Sequence, residues 1–312
     1  MTGRQSFAVQ AARFVQRFPL SWLRLFEAPF VKIPGRSRTN PKIVFILALP
    51  RSGSTLTYQC LVHGLQPHYL SNLWNLLYSL PWFGGRFSAQ ICAKHQSDFE
   101  STQGFVDGVC GPAEGLRFWS YWCGCGLDEL HEPPLRDTLL ERRISYLRRT
   151  FALLSTSRKP FVSGYLGHTL AVKMLRQWFP EAVFIRLHRD PLSNAASILR
   201  SRQKRAQSWF SVFPKECEAA KESNTHTQVA SQVYWLNRRL ETLADDEQTI
   251  HISYEDLCQS PRKELQRVVD FCNEKTMQLK IHQEHPTSFP YKVAHENESK
   301  NVSTLAQALQ DL

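Results

Sequence analysis

The sequence predicts an α/β fold, a parallel sheet flanked by helices, from one pattern met three times. Residues 43–49 (Ile-Val-Phe-Ile-Leu-Ala-Leu), 182–187 (Ala-Val-Phe-Ile-Arg-Leu) and 249–252 (Thr-Ile-His-Ile) are short, mostly apolar runs. Each ends in a polar turn, and a helical pattern follows. Continuous apolar runs of this length suit strands buried on both faces, as in a sheet covered by helices. Strand, turn and helix in repeated succession is how such architectures are written, with ligands bound at the carboxyl ends of the strands.

The first turn, Pro50-Arg51-Ser52-Gly53-Ser54-Thr55, has the makings of an anion site. Pro50 has no N–H to give a sheet ladder and ends the strand. Ser52, Gly53, Ser54 and Thr55 are small, so their backbone N–H groups can converge on an anion at the helix N-terminus, where the macrodipole also favours negative charge. Leu56, Gln59, Cys60 and His63 then continue one face of the helix. The general nucleotide loop Gly-x-x-x-x-Gly-Lys-Ser/Thr is not satisfied, because Ala48 holds its first glycine position and Ser54 its lysine position. Arg51 is the loop's cation instead.

The second turn is Arg189-Asp190-Pro191. Asp190 fits the N-cap and Pro191 the first turn of a helix. Ser197 lies eight residues after Arg189, about two turns on, so both side chains reach one anion. Read alone, Arg189 and Asp190 also fit a plain capping ion pair.

These two turns together resemble the donor site of PAPS-dependent sulfotransferases of the bacterial type, over roughly residues 42 to 305. The resemblance implies a P-loop nucleotide-binding architecture and 3′-phosphoadenosine 5′-phosphosulfate (PAPS) as co-substrate, with no metal. It implies that Arg51, Ser52, Gly53, Ser54 and Thr55 hold the 5′-phosphosulfate and that Arg189 and Ser197 hold the 3′-phosphate. Lys300 and Asn301, in Ser299-Lys300-Asn301-Val302, are then expected to close over the nucleotide ahead of a short terminal helix. Tyr254-Glu255-Asp256-Leu257 matches a segment that braces the donor site. Ser163-Gly164-Tyr165 departs from the pattern: it stands where such enzymes commonly carry Lys-x-Pro, and a cation near the transferred group is missing.

The implied reaction moves a sulfuryl group to a hydroxyl, or less readily an amine, on a glycan, glycolipid or small molecule. It needs a base, and related enzymes take Glu or His from the region after the first loop. Glu114 is the first candidate, His95 the second, with Asp98 or Glu100 behind them. Gly111-Pro112-Ala113-Glu114 resembles a glutamate-centred segment of the bacterial group, and its apolar, aromatic surroundings would raise a carboxyl's pKa towards neutrality. His95 sits in the polar run Lys94-His95-Gln96-Ser97-Asp98. Two other classes compete: a P-loop kinase, which would need Mg²⁺ and normally a loop lysine, and a non-catalytic nucleotide or glycan binder on the same fold.

The remaining features bound these readings. The chain has 312 residues and a formal net charge of +10, with basic clusters at 142–143, 148–149, 158–159 and 200–205. That balance suits anionic partners such as PAPS or its product PAP. No nucleic-acid module accompanies it. Residues 1–40 read as a basic amphipathic N-terminal extension, broken at Pro19 and Pro29, that either packs on the domain or makes a peripheral membrane contact. Residues 41–312 read as a single domain with an irregular acceptor-binding insertion near 67–128, whose aromatics serve either sugar stacking or the core. Helices are expected over 134–155, 169–178 and around 234–243. No apolar run of eighteen residues and no signal segment is seen, so a cytoplasmic location is expected. The eight cysteines lack a framework spacing and are expected as buried thiols in a reducing compartment. The sequons at Asn297 and Asn301 are then without consequence.

Overall fold

The computed structural model describes residues 20–32, 40–102, 104–128, 138–205, 209–243, 246–295 and 299–312. Most of the N-terminal extension, the start of the arginine-rich helix and Asn297 lie outside them. In chain order, a 3₁₀ turn (Leu20–Leu23) leads into α1 (Arg24–Lys32), β1 (Ile43–Leu47), α2 (Ser54–Leu65) and β2 (His68–Tyr69). Next come α3 (Asn72–Leu76), α4 (Pro81–Ile91), α5 (Leu116–Cys123), α6 (Thr138–Leu154), β3 (Phe161–Ser163), α7 (Val172–Trp178) and β4 (Val183–His188). The chain ends with α8 (Pro191–Arg205), α9 (Thr225–Leu243), β5 (Thr249–Ser253), α10 (Tyr254–Gln259), α11 (Pro261–Glu274) and α12 (Lys300–Gln310).

The strands form one all-parallel sheet in the order β2-β3-β1-β4-β5. β1 is central, with Phe45 opposite Ser163 on one side and Phe184 on the other. Every residue of β1 is buried, which explains its unbroken apolar run. From β1 the chain goes out to β2, returns to β3, and only then crosses to β4. The turns after β1, β3, β4 and β5 therefore leave the same carboxyl edge, around the point where the winding changes direction.

The region 67–128 is more regular than its sequence pattern suggests. It supplies β2, α3, α4 and α5, and its Trp74, Phe118, Trp119 and Trp122 are buried. Across the sheet face Phe45 meets Trp119, Phe179 and Phe184. These four aromatics are core, each contributing roughly 1.5–3 kcal/mol through burial, and are not a platform for sugar rings. Two helix starts also move: the one expected at 169 begins at Val172 after a 3₁₀ turn, and the one expected near 234 begins at Thr225.

Two further expectations are corrected. α1 runs through Pro29, because the bond that a proline forfeits is offset by a tertiary anchor. The fully buried Glu27 carboxylate accepts from the N–H groups of Trp82 (3.2 Å) and Phe83 (3.0 Å) and from the Tyr146 hydroxyl (2.9 Å). It thereby caps the open N-terminus of α4 from another element. The cysteines are not all thiols: Cys92 and Cys110 form a disulfide, and the other six are buried and free.

Candidate functional site

The turn after β1 is wound so that few of its donors are spent on itself. Arg51 and Gly53 take left-handed conformations, with φ of 62° and 96°. Gly53 could not be another residue, since a Cβ there would lie 2.1 Å from the Tyr254 ring. Ser52 is buried, and its hydroxyl donates to the Leu49 carbonyl at 2.7 Å while its N–H points to the same oxygen at 3.3 Å. The Ser52 side chain thus shapes the loop. Thr57 closes the other side, its N–H and hydroxyl both donating to the Gly53 carbonyl. The N–H groups of Ser54, Thr55 and Leu56 belong to the first turn of α2, where no intrahelical acceptor exists. All three residues line the cleft.

Arg51 is gripped from both sides. Arg189 donates to its carbonyl (2.6 Å), and Arg51 Nε donates to Ser197 Oγ (3.4 Å). Arg189 and Ser197 therefore meet through Arg51 and not through each other. Arg189 also donates to the Lys292 carbonyl and lies 4.7 Å over the Tyr254 ring, while its buried Nε has no hydrogen-bond partner. Asp190 caps α8 by accepting from the Ser193 N–H (2.7 Å), and Asn194 donates to the Pro50 carbonyl. The 254–257 segment ties the turns together: Tyr254 packs on Gly53, and Glu255 accepts from the Asp190 N–H.

These elements form one wall of a cleft of about 510 Å³, lined by Arg51, Gly53, Ser54, Thr55, Arg189 and Tyr254. The opposite wall carries Glu114, Ser101 and Gly104, with Trp209, Phe210 and Ser211 beside them. Glu114 is partly buried, and loss of hydration pushes its carboxyl up to about 7. Its position is set by a short bridge: Ala113 donates to the Leu70 carbonyl, Ser71 pairs with Pro112, and left-handed Gly115 starts α5. Gly104, left-handed at φ 91°, lies between the walls, where a Cβ would sit in ordinary contact with Thr55 Oγ1 (3.5 Å) and Glu114 Oε1 (3.9 Å).

Other candidates lie elsewhere. His95 lines a separate cavity with Tyr69 and Cys92, and burial lowers its pKa. Asp98 and Glu100 are exposed and absorbed in a local turn, the Asp98 carboxylate accepting from the Glu100 N–H. Lys300 and Asn301 are the first residues of α12, which Ser299 caps, and neither lines the cleft. The Asn301 side chain sits 3.3 Å from His226, and α12 packs on α8 and α9. At Ser163-Gly164-Tyr165 the Ser163 hydroxyl contacts Trp119 Nε1 and His168 Nε2, a Gly164 Cβ would strike Tyr58, and the Tyr165 hydroxyl donates to the Cys125 carbonyl. This turn brings no cation to the cleft. Trp209, Phe210 and Ser211 were not anticipated; their one sequence signal is an aromatic pair closing the basic run at 200–205.

The profile of the sulfotransferase family matches residues 41–278. No curated protein matches the sequence. Among solved structures, sulfotransferase STF9 from Mycobacterium avium is 15% identical, with 95% of this chain and 74% of that one aligned at a TM-score of 0.51. Sulfotransferase STF1 from Mycobacterium tuberculosis H37Rv is 17% identical, with 96% and 76% aligned at 0.47. At these identities the likeness is one of fold.

Proposed function

The chain belongs to the sulfotransferase family, and from that premise we propose that it moves a sulfuryl group from PAPS to an acceptor hydroxyl, with an amine as the lesser alternative. The observation that carries this reading is one cleft in which Arg51 and the open N–H groups of α2 face Glu114, a carboxyl held near neutrality. The fit to a polyanionic donor rests on the same wall: two guanidinium groups, one with a buried Nε lacking a partner, at a helix N-terminus.

When bound, PAPS supplies an activated sulfuryl group, whose S–O bond to phosphate breaks as the acceptor oxygen bonds to sulfur. Arg51 and the α2 N–H groups stabilise the charge that grows on the phosphate side. Glu114 takes the hydroxyl proton, and a pKa of about 7 suits a base that works near neutral pH. In this reading Arg189 and Ser197 hold the 3′-phosphate, while Lys300 and Asn301 have no part. Trp209, Phe210, Leu127 and Leu166 give the acceptor an apolar wall, which suits a hydroxyl on a glycan, glycolipid or small molecule.

Thermal denaturation with nucleotides tests the reading. PAP should stabilise the protein, by about 2.7 kcal/mol at a hundredfold excess over its dissociation constant. ATP with Mg²⁺ should do far less. Stabilisation by ATP with Mg²⁺ and not by PAP would move the protein to the kinase class. Binding of PAP without transfer of label from PAPS to any acceptor in a broad panel would make it a binder.

A further inference from the structure

α1 buries a carboxylate beside Val31 and holds large apolar side chains outward. Its buried anchor is a carboxylate, Glu27, held by three hydrogen bonds to α4 and α6. Its outward side is apolar: Leu25 is 76% exposed and Phe26 63%, and Trp22 in the preceding turn is 55% exposed. A surface helix ordinarily turns its apolar stripe to the core and its charges to water. Large apolar side chains held outward, next to one another, mark a surface that meets something other than water.

The rim of this surface is basic. The groove between α1 and α6 is lined by Arg24, Arg142, Arg143 and Arg149, with Glu141 as the one carboxylate lining it among the described residues. Arg142 and Arg149 are exposed. Arg24 and Arg143 are fixed in place: Arg24 donates to the Tyr121 hydroxyl, Arg143 to the Tyr121 carbonyl, and they lie over the Trp122 and Tyr121 rings respectively.

We propose that this face docks the protein on an anionic lipid surface, with Trp22, Leu25 and Phe26 entering the interfacial layer and Arg142 and Arg149 meeting the headgroup charges. Apolar and aromatic side chains flanked by arginine are what an in-plane interfacial helix uses. Charge decides the occupant. A second copy seated by two-fold symmetry would set the arginine rim against itself, whereas an anionic headgroup layer neutralises it. The net charge of +10 acts in the same direction. The Glu27 anchor acquires a purpose here, because with Val31 and Phe30 it holds the helix to the domain while Leu25 and Phe26 stay free. α5 runs from beside Glu114 to the Tyr121 and Trp122 contacts of Arg24, roughly 10 Å, so the docking face lies one short helix from the cleft. The proposal does not depend on the sulfuryl-transfer reading.

Co-sedimentation of the full chain with vesicles tests it. The protein should pellet with vesicles of phosphatidylcholine containing phosphatidylserine and stay in solution with phosphatidylcholine alone. Leu25→Glu with Phe26→Glu should weaken binding by roughly tenfold or more with an unchanged melting temperature, since both sites are exposed. Arg142→Gln with Arg149→Gln should weaken it by roughly 30-fold and make what remains less sensitive to salt. Equal pelleting with neutral vesicles, no pelleting at all, or wild-type binding by both double variants would overturn the proposal. So would a solution dimer that Leu25→Glu dissociates, which would give the face to a second copy of the chain.

Discussion

The two walls of the cleft are held in different ways. The wall after β1 takes its shape from bonds that span three or four residues, Ser52 to Leu49 and Thr57 to Gly53. The Glu114 wall takes its shape from bonds across tens of residues: Ala113 to Leu70, Tyr69 to the Cys110 carbonyl, Asn72 to Val106 and Gly108, and the disulfide from Cys92 to Cys110. The winding of the first turn is a property of the local chain, and Arg189, Asn194 and Tyr254 from the later turns complete that wall. The second exists only once α3, α4 and the loop before α5 have come together. Under the proposed reading donor binding and acceptor activation are therefore separable, and variants on one wall should spare the other.

The largest expected effect is on the second wall. Glu114→Gln keeps the shape and removes the proton acceptor, so turnover should fall roughly 10²- to 10⁴-fold while PAP affinity stays as it was. Because the wild-type carboxyl is pushed up to about 7, the rate should rise as pH passes through that value, the ionised form being the base. A donor affinity that fell along with turnover would dissolve the distinction between the walls.

The disulfide separates the walls by stability. It closes a loop of 18 residues, and releasing such a loop costs about 3 kcal/mol on chain-entropy grounds. Cys92→Ser should lower the melting temperature accordingly, and the purified, unreduced protein should titrate six thiols after denaturation. Eight thiols would mean that the second wall is held without the cross-link.

A smaller effect comes from the ionisation of Glu114. Its folded pKa lies above the ordinary value of 4.5 because burial disfavours the charge. The stabilisation is complete below about 4.5 and is lost as pH rises through about 7, since the unfolded chain gives up the proton first. With allowance for partial exposure the loss is on the order of 2 kcal/mol. Glu114→Gln, which has no proton to lose, should thus melt higher than the wild type in mildly alkaline buffer and match it near pH 4.5. An equal melting temperature across that range would mean a carboxyl that water reaches.

How much could be read from the chain follows the same division. Strand β1, its turn and α2 were legible because a buried run, Pro50 and four small residues encode them consecutively; so were Asp190 and Pro191 as the start of α8. Glu114 was legible as an apolar-flanked carboxyl. Its place opposite Thr55 was not, because contacts with Leu70 and Gly104 create it. The part played by the Ser52 side chain was hidden for a related reason: residue type says that a hydroxyl is present, but the loop's winding decides that it turns to Leu49. The Cys92–Cys110 pair carries no framework spacing and is joined only by the fold. The aromatics of 67–128 were ambiguous between platform and core, and burial at Trp74 and Trp119 resolves them.

The smallest expected effect concerns His95, the other candidate base. Its ring lies in a cavity with Tyr69 and Cys92, at 6.3 Å between ring centroids from Tyr69, and the His95 backbone N–H donates to the Cys92 carbonyl. It lines no part of the cleft that holds Arg51 and Glu114. Burial lowers its pKa and leaves a buried Nε2 without a partner, which is a packed ring beside the disulfide and not a group poised over an acceptor. Geometry comes before pKa in choosing a base, since the group must reach the proton it takes. His95→Asn should therefore leave turnover within about twofold and cost roughly 0.5–1 kcal/mol of stability through the lost ring contact. Measured on the same acceptor as Glu114→Gln, the pair of variants decides the assignment: a hundredfold loss in the His95 variant, with near-normal turnover in the Glu114 variant, would move the base to His95 and require this loop to swing into the cleft.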